Sequence, residues 1–217
     1  MMPGESQEQF LQRVRTALSD RGQPVELPDE HEISRVIPAS TDGSLIDAFA
    51  GRVEEAKMHP HRVAGEAAMI EKLAGLLRQA GARTAIVPAD GLPARAAILE
   101  RLQAENVELI NPDDADGAFQ ADVGITGVDA AIAETASLVL TSGDGRRRLA
   151  SLAVPVHIAI VRADQIVPDL LDWSIRPREQ VPANEVLVSA PSKTADIELA
   201  LVMGVHGPKE EHVIILE

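Results

Sequence analysis

The sequence predicts an α/β fold, a mostly parallel sheet with helices on its faces, and three observations lead there. From Gly65 onward the apolar residues switch back and forth between the helical and the strand period. The strand-length runs are nearly continuous in apolar residues, as in strands covered on both faces. Hydrophobic residues make up 45% of the 217 positions, enough for a packed core. We expect a single domain over residues 1–217, with residues 1–44 forming an N-terminal helix and an irregular arm.

The elements follow in order. Ser6 and Gln9 form an S-x-x-Q capping box ahead of Phe10, Val14 and Leu18 at helical spacing, and Gly22 is the expected stop. Gln23 to Ser44 carries three prolines and many acids without sustained periodicity, which predicts the arm. Leu45 to Ala56 has a helical pattern. Met58 to Val63 contains Pro60, which cannot donate to a central ladder, and so predicts an edge strand. Met69, Leu73, Leu76 and Ala80 make a helical stripe closed by Gly81, and Thr84 to Val87 is the following strand. Pro93 to Glu105 is again helical. Val107 to Ile110, Val123 to Thr126, Leu138 to Thr141, His157 to Val161, Val186 to Ser189 and Val213 to Leu216 have strand length. Gly127 to Leu140 is a connection with room for a helix of two turns at most, and Thr194 to Met203 reads as an apolar helix ended by Gly204.

A formal net charge of −14 argues against a surface that would neutralise nucleic-acid phosphates or dock on anionic lipid. No apolar stretch approaches a membrane span, and the N-terminus lacks the basic start and apolar run of a secretory signal, so a cytoplasmic protein is expected. Cysteine is absent, so the chain can offer no disulfide and no thiolate ligand for an iron–sulfur cluster.

Ligands of parallel sheets gather beyond the carboxyl ends of the strands, which directs attention to the loops after Thr126, Thr141 and Ser189. Glu134 and Thr135 stand at the junction into a strand, and a carboxylate at a helix C-terminus would oppose the macrodipole. In SGDGRRR, Ser142 to Arg148, glycines allow close backbone approach and the Arg148 guanidinium suits a carboxylate or phosphate, although the spacing is neither a P-loop nor a dinucleotide turn. Ser189, Ser192, Lys193 and Thr194 converge on one expected helix N-terminus, with Asp196 in its first turn. His206 is pinned before Gly207 and Pro208. His157 reads as a hydrogen-bonded histidine near the core. His59 and His61 lack an evident third ligand, so no metal site is expected.

The words GITGVDAAIAET (Gly124 to Thr135), RLASLAVPVHIAIV (Arg148 to Val161) and APSKTADIELALVMGVHGP (Ala190 to Pro208) resemble the lactate-utilisation protein C family, built on the LUD domain. This chain has Ala136 and Ala190 where that family usually has glycine, and Lys193 where it commonly has arginine. The resemblance implies a Rossmann-like sheet akin to the sugar-phosphate isomerase, CoA-transferase and formyltetrahydrofolate cyclo-ligase group. It also implies a part in oxidising L-lactate to pyruvate beside partner subunits that carry iron–sulfur clusters.

No dinucleotide fingerprint or thiolate is present, so the redox centre is expected on those partners, with no cofactor in this chain. The first reading is therefore an accessory or substrate-handling subunit. It would hold a small carboxylate or phosphate with Thr126, Thr135, Ser142, Arg148, Ser189, Ser192, Lys193, Thr194, Asp196 and His206. A second is a stand-alone non-redox enzyme, acyl- or CoA-transferase-like or ligase-like, with Glu134 as covalent nucleophile. A third is a small-carboxylate binding protein without turnover.

Overall fold

In the computed structural model the described residues are 6–19, 43–143, 145–176, 182–195, 201–204 and 206–217. They belong to two units, Met1–Arg35 and Val36–Glu217. In the first, α1 (Gln7–Ser19) opens on the capping box: the Ser6 N–H donates to Gln9 Oε1 at 2.9 Å and the Gln9 N–H to Ser6 Oγ at 3.2 Å. The expected stop at Gly22 lies outside the described residues, as does the arm up to residue 42.

The second unit begins with α2 (Gly43–Glu55) and β1 (His59–Val63), followed by α3 (Gly65–Ala80) and β2 (Thr84–Ile86). The α3 stripe buries Met69, Leu73, Leu76 and Leu77. The helix ends where Gly81 turns left-handed, at φ 61°, and donates to the Arg78 carbonyl while Ala82 donates to that of Leu77. α4 (Arg95–Ala104) and β3 (Glu108–Ile110) repeat the unit. The four-residue α5 (Ala115–Ala118) then leads to β4 (Val123–Gly127).

Beyond β4 the chain runs through β5 (Ala130–Ile132), β6 (Ser137–Ser142), the four-residue α6 (Leu149–Leu152), β7 (Val156–Arg162), β8 (Ile166–Val167) and α7 (Leu170–Ser174). The remaining elements are β9 (Asn184–Val188), β10 (Lys193–Ala195), β11 (Leu201–Met203) and β12 (Glu210–Leu216).

Among the described residues six strands form a wholly parallel sheet in the order β1-β12-β7-β4-β2-β3. This is the expected α/β architecture, and β1 with Pro60 is at its edge. One face is covered by α3 and α4, which close over Ile125, Ile158, Ile160 and Ile214. On the other face Ala159, Val161, Val213 and Ile215 pack with Phe49 and Val53 of α2 and with Ala131, Leu138 and Val188 of a second sheet. A buried leucine-sized side chain contributes about 1.5–3 kcal/mol, so both layers are strongly held.

The second sheet, ordered β8-β5-β6-β9, corrects three expectations. Leu138–Thr141 and Val186–Ser189 do not extend the parallel sheet; β6 and β9 pair antiparallel to each other, and β6 also pairs antiparallel to β5. Gly127 to Leu140 holds no helix, because Ala130–Ile132 is itself a strand and turns back through Ala136 at φ 56°. A short apolar run fits a buried strand as well as a helix, and here cross-strand pairing decides it. Thr194 and Met203 likewise belong to an antiparallel hairpin, β10 with β11, rather than to one helix. Ser192 fastens the base of that hairpin, its carbonyl accepting from the Gly204 N–H and its N–H donating to the Pro208 carbonyl, both at 2.8 Å. Gly204, at φ 73°, is thus the exit of a strand and not a helix cap.

Candidate functional site

A cleft opens at the carboxyl ends of β2 and β4, where the parallel sheet meets β6 and β9. Its lining includes Asp90, Gly91, Thr126, Asp129, Thr141, Arg146 and Arg148. The cleft lies there because parallel strands deliver their following loops to one edge, the usual seat of ligands in such sheets. Two glycines let those loops close up. A Cβ on Gly91 would lie 2.8 Å from the Arg146 guanidinium, so Arg146 can lie flat against bare backbone. The SGDGRRR segment is tied down from the other side, the Gly145 carbonyl accepting from the N–H groups of Ala89 (2.9 Å) and Asp90 (3.2 Å).

Charge in the cleft is largely settled internally. Asp129 accepts from Arg146 Nη1 at 2.5 Å with one carboxylate oxygen. With the other it accepts from the Thr141 N–H at 2.8 Å and the Thr141 hydroxyl at 2.9 Å. Arg147 is paired with Asp113 at 2.5 Å. Arg148 lines the cleft, is exposed, and has no ion-pair partner among the described residues. It is the guanidinium free to take a carboxylate or phosphate in its planar fork.

Beneath the cleft lies a buried polar chain. Thr126 Oγ1 is 2.8 Å from His157 Nε2, and His157 Nδ1 is 2.7 Å from Glu211 Oε2. The three residues are 4%, 0% and 1% exposed, so His157 is a hydrogen-bonded core histidine, as its sequence context suggests.

The expected site residues do not share one place. Thr126 and Arg148 are in the cleft. Glu134, Thr135 and Ser189 are at the β5–β6 turn. There the Glu134 N–H donates to the Pro168 carbonyl at 3.0 Å, and a hydroxyl chain runs from Thr135 Oγ1 to Ser137 Oγ at 2.7 Å and on to Ser189 Oγ at 2.6 Å. Ser192 and His206 are together at the β10–β11 base, the His206 N–H donating to Ser192 Oγ at 3.3 Å. Lys193 is exposed, with Nζ 3.5 Å from the Ala56 carbonyl oxygen. Ser142 ends β6 opposite Asn184, Thr194 pairs in register with Val202, and Asp196 lies outside the described residues. Neither Glu134 nor Ser192 lines the cleft with Arg148.

Sequence reasoning did not single out Asp129, Arg146 or Glu211. The acids of GVDAA and KEEH carry no local periodic mark, and their partners are 17 and 54 residues away. His59 and His61 do find a third histidine in His212. Its Nδ1 is 3.1 Å from His61 Nε2, and its ring stands 4.9 Å from that of His59 between centroids. Burial, reinforced by the charges of His212, Lys72 and His59, lowers the His61 pKa to about 4. Among the described residues no three His, Asp or Glu side chains are disposed to hold a metal ion, and no helix is long and apolar enough to cross a membrane.

Comparison with known proteins agrees with this architecture. A lactate utilization protein C of Halalkalibacterium halodurans is 37% identical over 126 residues, 54% of this chain and 55% of that protein. The chain thus spans about half the length of that relative. Another lactate utilization protein C, from Exiguobacterium sp., is 31% identical and covers 96% of this chain and 95% of its own. The crystal structure of a DUF162 family protein from Deinococcus radiodurans matches with a TM-score of 0.57 at 25% identity, over 83% of this chain and all of that one. The LUD domain itself matches residues 46–216, so the chain belongs to the LUD domain family.

Proposed function

We propose that this chain is an accessory, substrate-handling protein of L-lactate oxidation, which holds a small carboxylate in the cleft while electrons pass to iron–sulfur clusters on partner subunits. The observation that carries this reading is Arg148, a guanidinium without an ion-pair partner among the described residues, at the carboxyl edge of a parallel sheet. The relatives that bear the name lactate utilization protein C supply the substrate class. The chain contributes no cysteine, so cluster ligation falls to the partners, and a cytoplasmic location fits this division of labour.

The test is deletion of the gene, followed by growth on L-lactate and complementation. The wild-type gene restores growth and Arg148→Ala does not, although the variant protein accumulates normally. Growth of the deletion strain on lactate with no redundant pathway, or full rescue by Arg148→Ala, overturns the reading.

A further inference from the structure

The buried chain Thr126–His157–Glu211 has the order hydroxyl, imidazole, carboxylate, and its hydroxyl end lines the cleft. Three parallel strands produce it. Glu211 on β12 and His157 on β7 are register partners, and Thr126 on β4 stands one pleat further toward the carboxyl edge. In the tautomer in which Nδ1 of His157 donates to the Glu211 carboxyl group, Nε2 is left to accept the Thr126 O–H. Such an imidazole is held in one tautomer and one orientation by a group it need not release.

Stability alone is a poor reason for this arrangement. A carboxylate 1% exposed and an imidazole fully buried are costly to desolvate, and apolar side chains of similar volume would fill the same space at less cost. Buried groups with a defined hydrogen-bonding order and one end at a cleft are the arrangement by which hydroxyls become nucleophiles.

We propose that Thr126 is an acyl-accepting nucleophile, activated by His157 and Glu211, and that the cleft accepts an activated acyl compound, an oxygen or thiol ester of a small carboxylic acid. This rests on the reading of the cleft as a small-carboxylate site and adds a reaction to it. The Thr126 Oγ–acyl carbon bond forms as the hydroxyl proton passes to His157 Nε2. The bond from the acyl carbon to the leaving oxygen or sulfur breaks, and the imidazolium returns the proton to the departing group. Water in the cleft attacks the acyl-threonine; as the acyl bond breaks, the water's proton passes to the Thr126 oxygen, which releases the free acid and restores the hydroxyl. Arg148, on the same cleft, is the cation available to a carboxylate carried by the acyl group. Glu134, in its turn on the second sheet, takes no part.

The probe is p-nitrophenyl acetate, applied to the purified full chain. A burst of about one equivalent of p-nitrophenolate is expected, with a single acetyl group on Thr126 by peptide mass spectrometry. Thr126→Val abolishes the adduct, Thr126→Ser retains it, and His157→Gln slows its formation by about 10²–10⁴-fold. Acetylation confined to lysines, or an unchanged burst in Thr126→Val, overturns the proposal. An absent adduct in wild-type protein that melts cooperatively does so too. Calorimetry of the wild-type chain with L-lactate reads the carboxylate site separately, so loss of acylation with lactate binding intact removes the relay and leaves the first reading standing.

Discussion

Gly127 runs so close to Gly91 that a Cβ added at Gly127 would stand 1.9 Å from the Gly91 carbonyl oxygen. The obstacle is backbone, which cannot rotate aside as the end of a flexible side chain can. Gly127→Ala therefore has to displace the segment after β2, on which Arg146 rests. Overpacking of this kind costs about 1–3 kcal/mol, so denaturant unfolding should show that loss, together with weaker lactate binding in calorimetry. An unchanged midpoint would mean that the segment yields freely.

Arg148 and Asp129 line one cleft but should behave in opposite ways. Arg148→Ala removes an exposed side chain with no ion-pair partner among the described residues and is expected to move stability by no more than about 0.5 kcal/mol. The same change should weaken carboxylate binding by about tenfold or more, the worth of a charged hydrogen bond of about 1.5–3 kcal/mol. Asp129→Ala strips Arg146 and Thr141 of their shared acceptor and should destabilise the fold by about 1–3 kcal/mol. Thermal melts beside calorimetric titrations separate the two effects.

Asp122 joins the starts of β2 and β4. One of its carboxylate oxygens accepts from the N–H groups of Arg83 (2.9 Å) and Thr84 (3.0 Å) and from the Thr84 hydroxyl (3.0 Å). Burial alone would raise this carboxyl group, but the hydrogen bonds from Arg83 and Thr84 outweigh it and hold the pKa below the usual carboxylate value. A folded pKa below the unfolded one contributes stability that is full above the unfolded value and lost as pH falls through the folded one. Asp122→Asn should therefore be less stable at neutral pH and should lose less on acidification. Urea midpoints across the acid range test this, and parallel curves for the two proteins would refute it.

His61 acts in the same direction in a higher window. Its pKa falls from 6.5 to about 4 on folding, so the unfolded chain binds more protons between those values. Stability should decline as pH drops from about 6.5 toward 4. The site is only half-buried, so solvent screening keeps the effect modest. The facing groups share in it: His59 on β1, His212 and Glu210 on β12, and Lys72 on α3. His61→Gln is expected to flatten the decline, as read from melting temperatures through that interval.

Local chemistry made part of the fold legible. The Ser6–Gln9 box, the Gly81 terminus and the edge position of the strand bearing Pro60 each depend on residues within a few positions of one another. The second sheet was not legible, because Ala130–Ile132 is too short and too uniformly apolar for its period to separate strand from helix. Ala136 shows what was missed there. A left-handed position normally given to glycine marks a tight turn, and this chain carries alanine instead. The site was legible only in its loops. Thr126 and Arg148 could be named from their positions after strands. The link from Thr126 through His157 to Glu211 exists because β12 lies beside β7, a neighbourhood that spacing along the chain does not encode.

Pro60 also governs how this molecule meets others of its kind. A sheet margin offers a row of free donors and acceptors to any extended segment that drifts against it, and one missing donor interrupts that row. Pro60 makes this interruption on β1, and the opposite margin, β3, is only three residues long and begins with Glu108. Neither flank gives an incoming strand a continuous template, so the parallel sheet is guarded at both ends against templated aggregation.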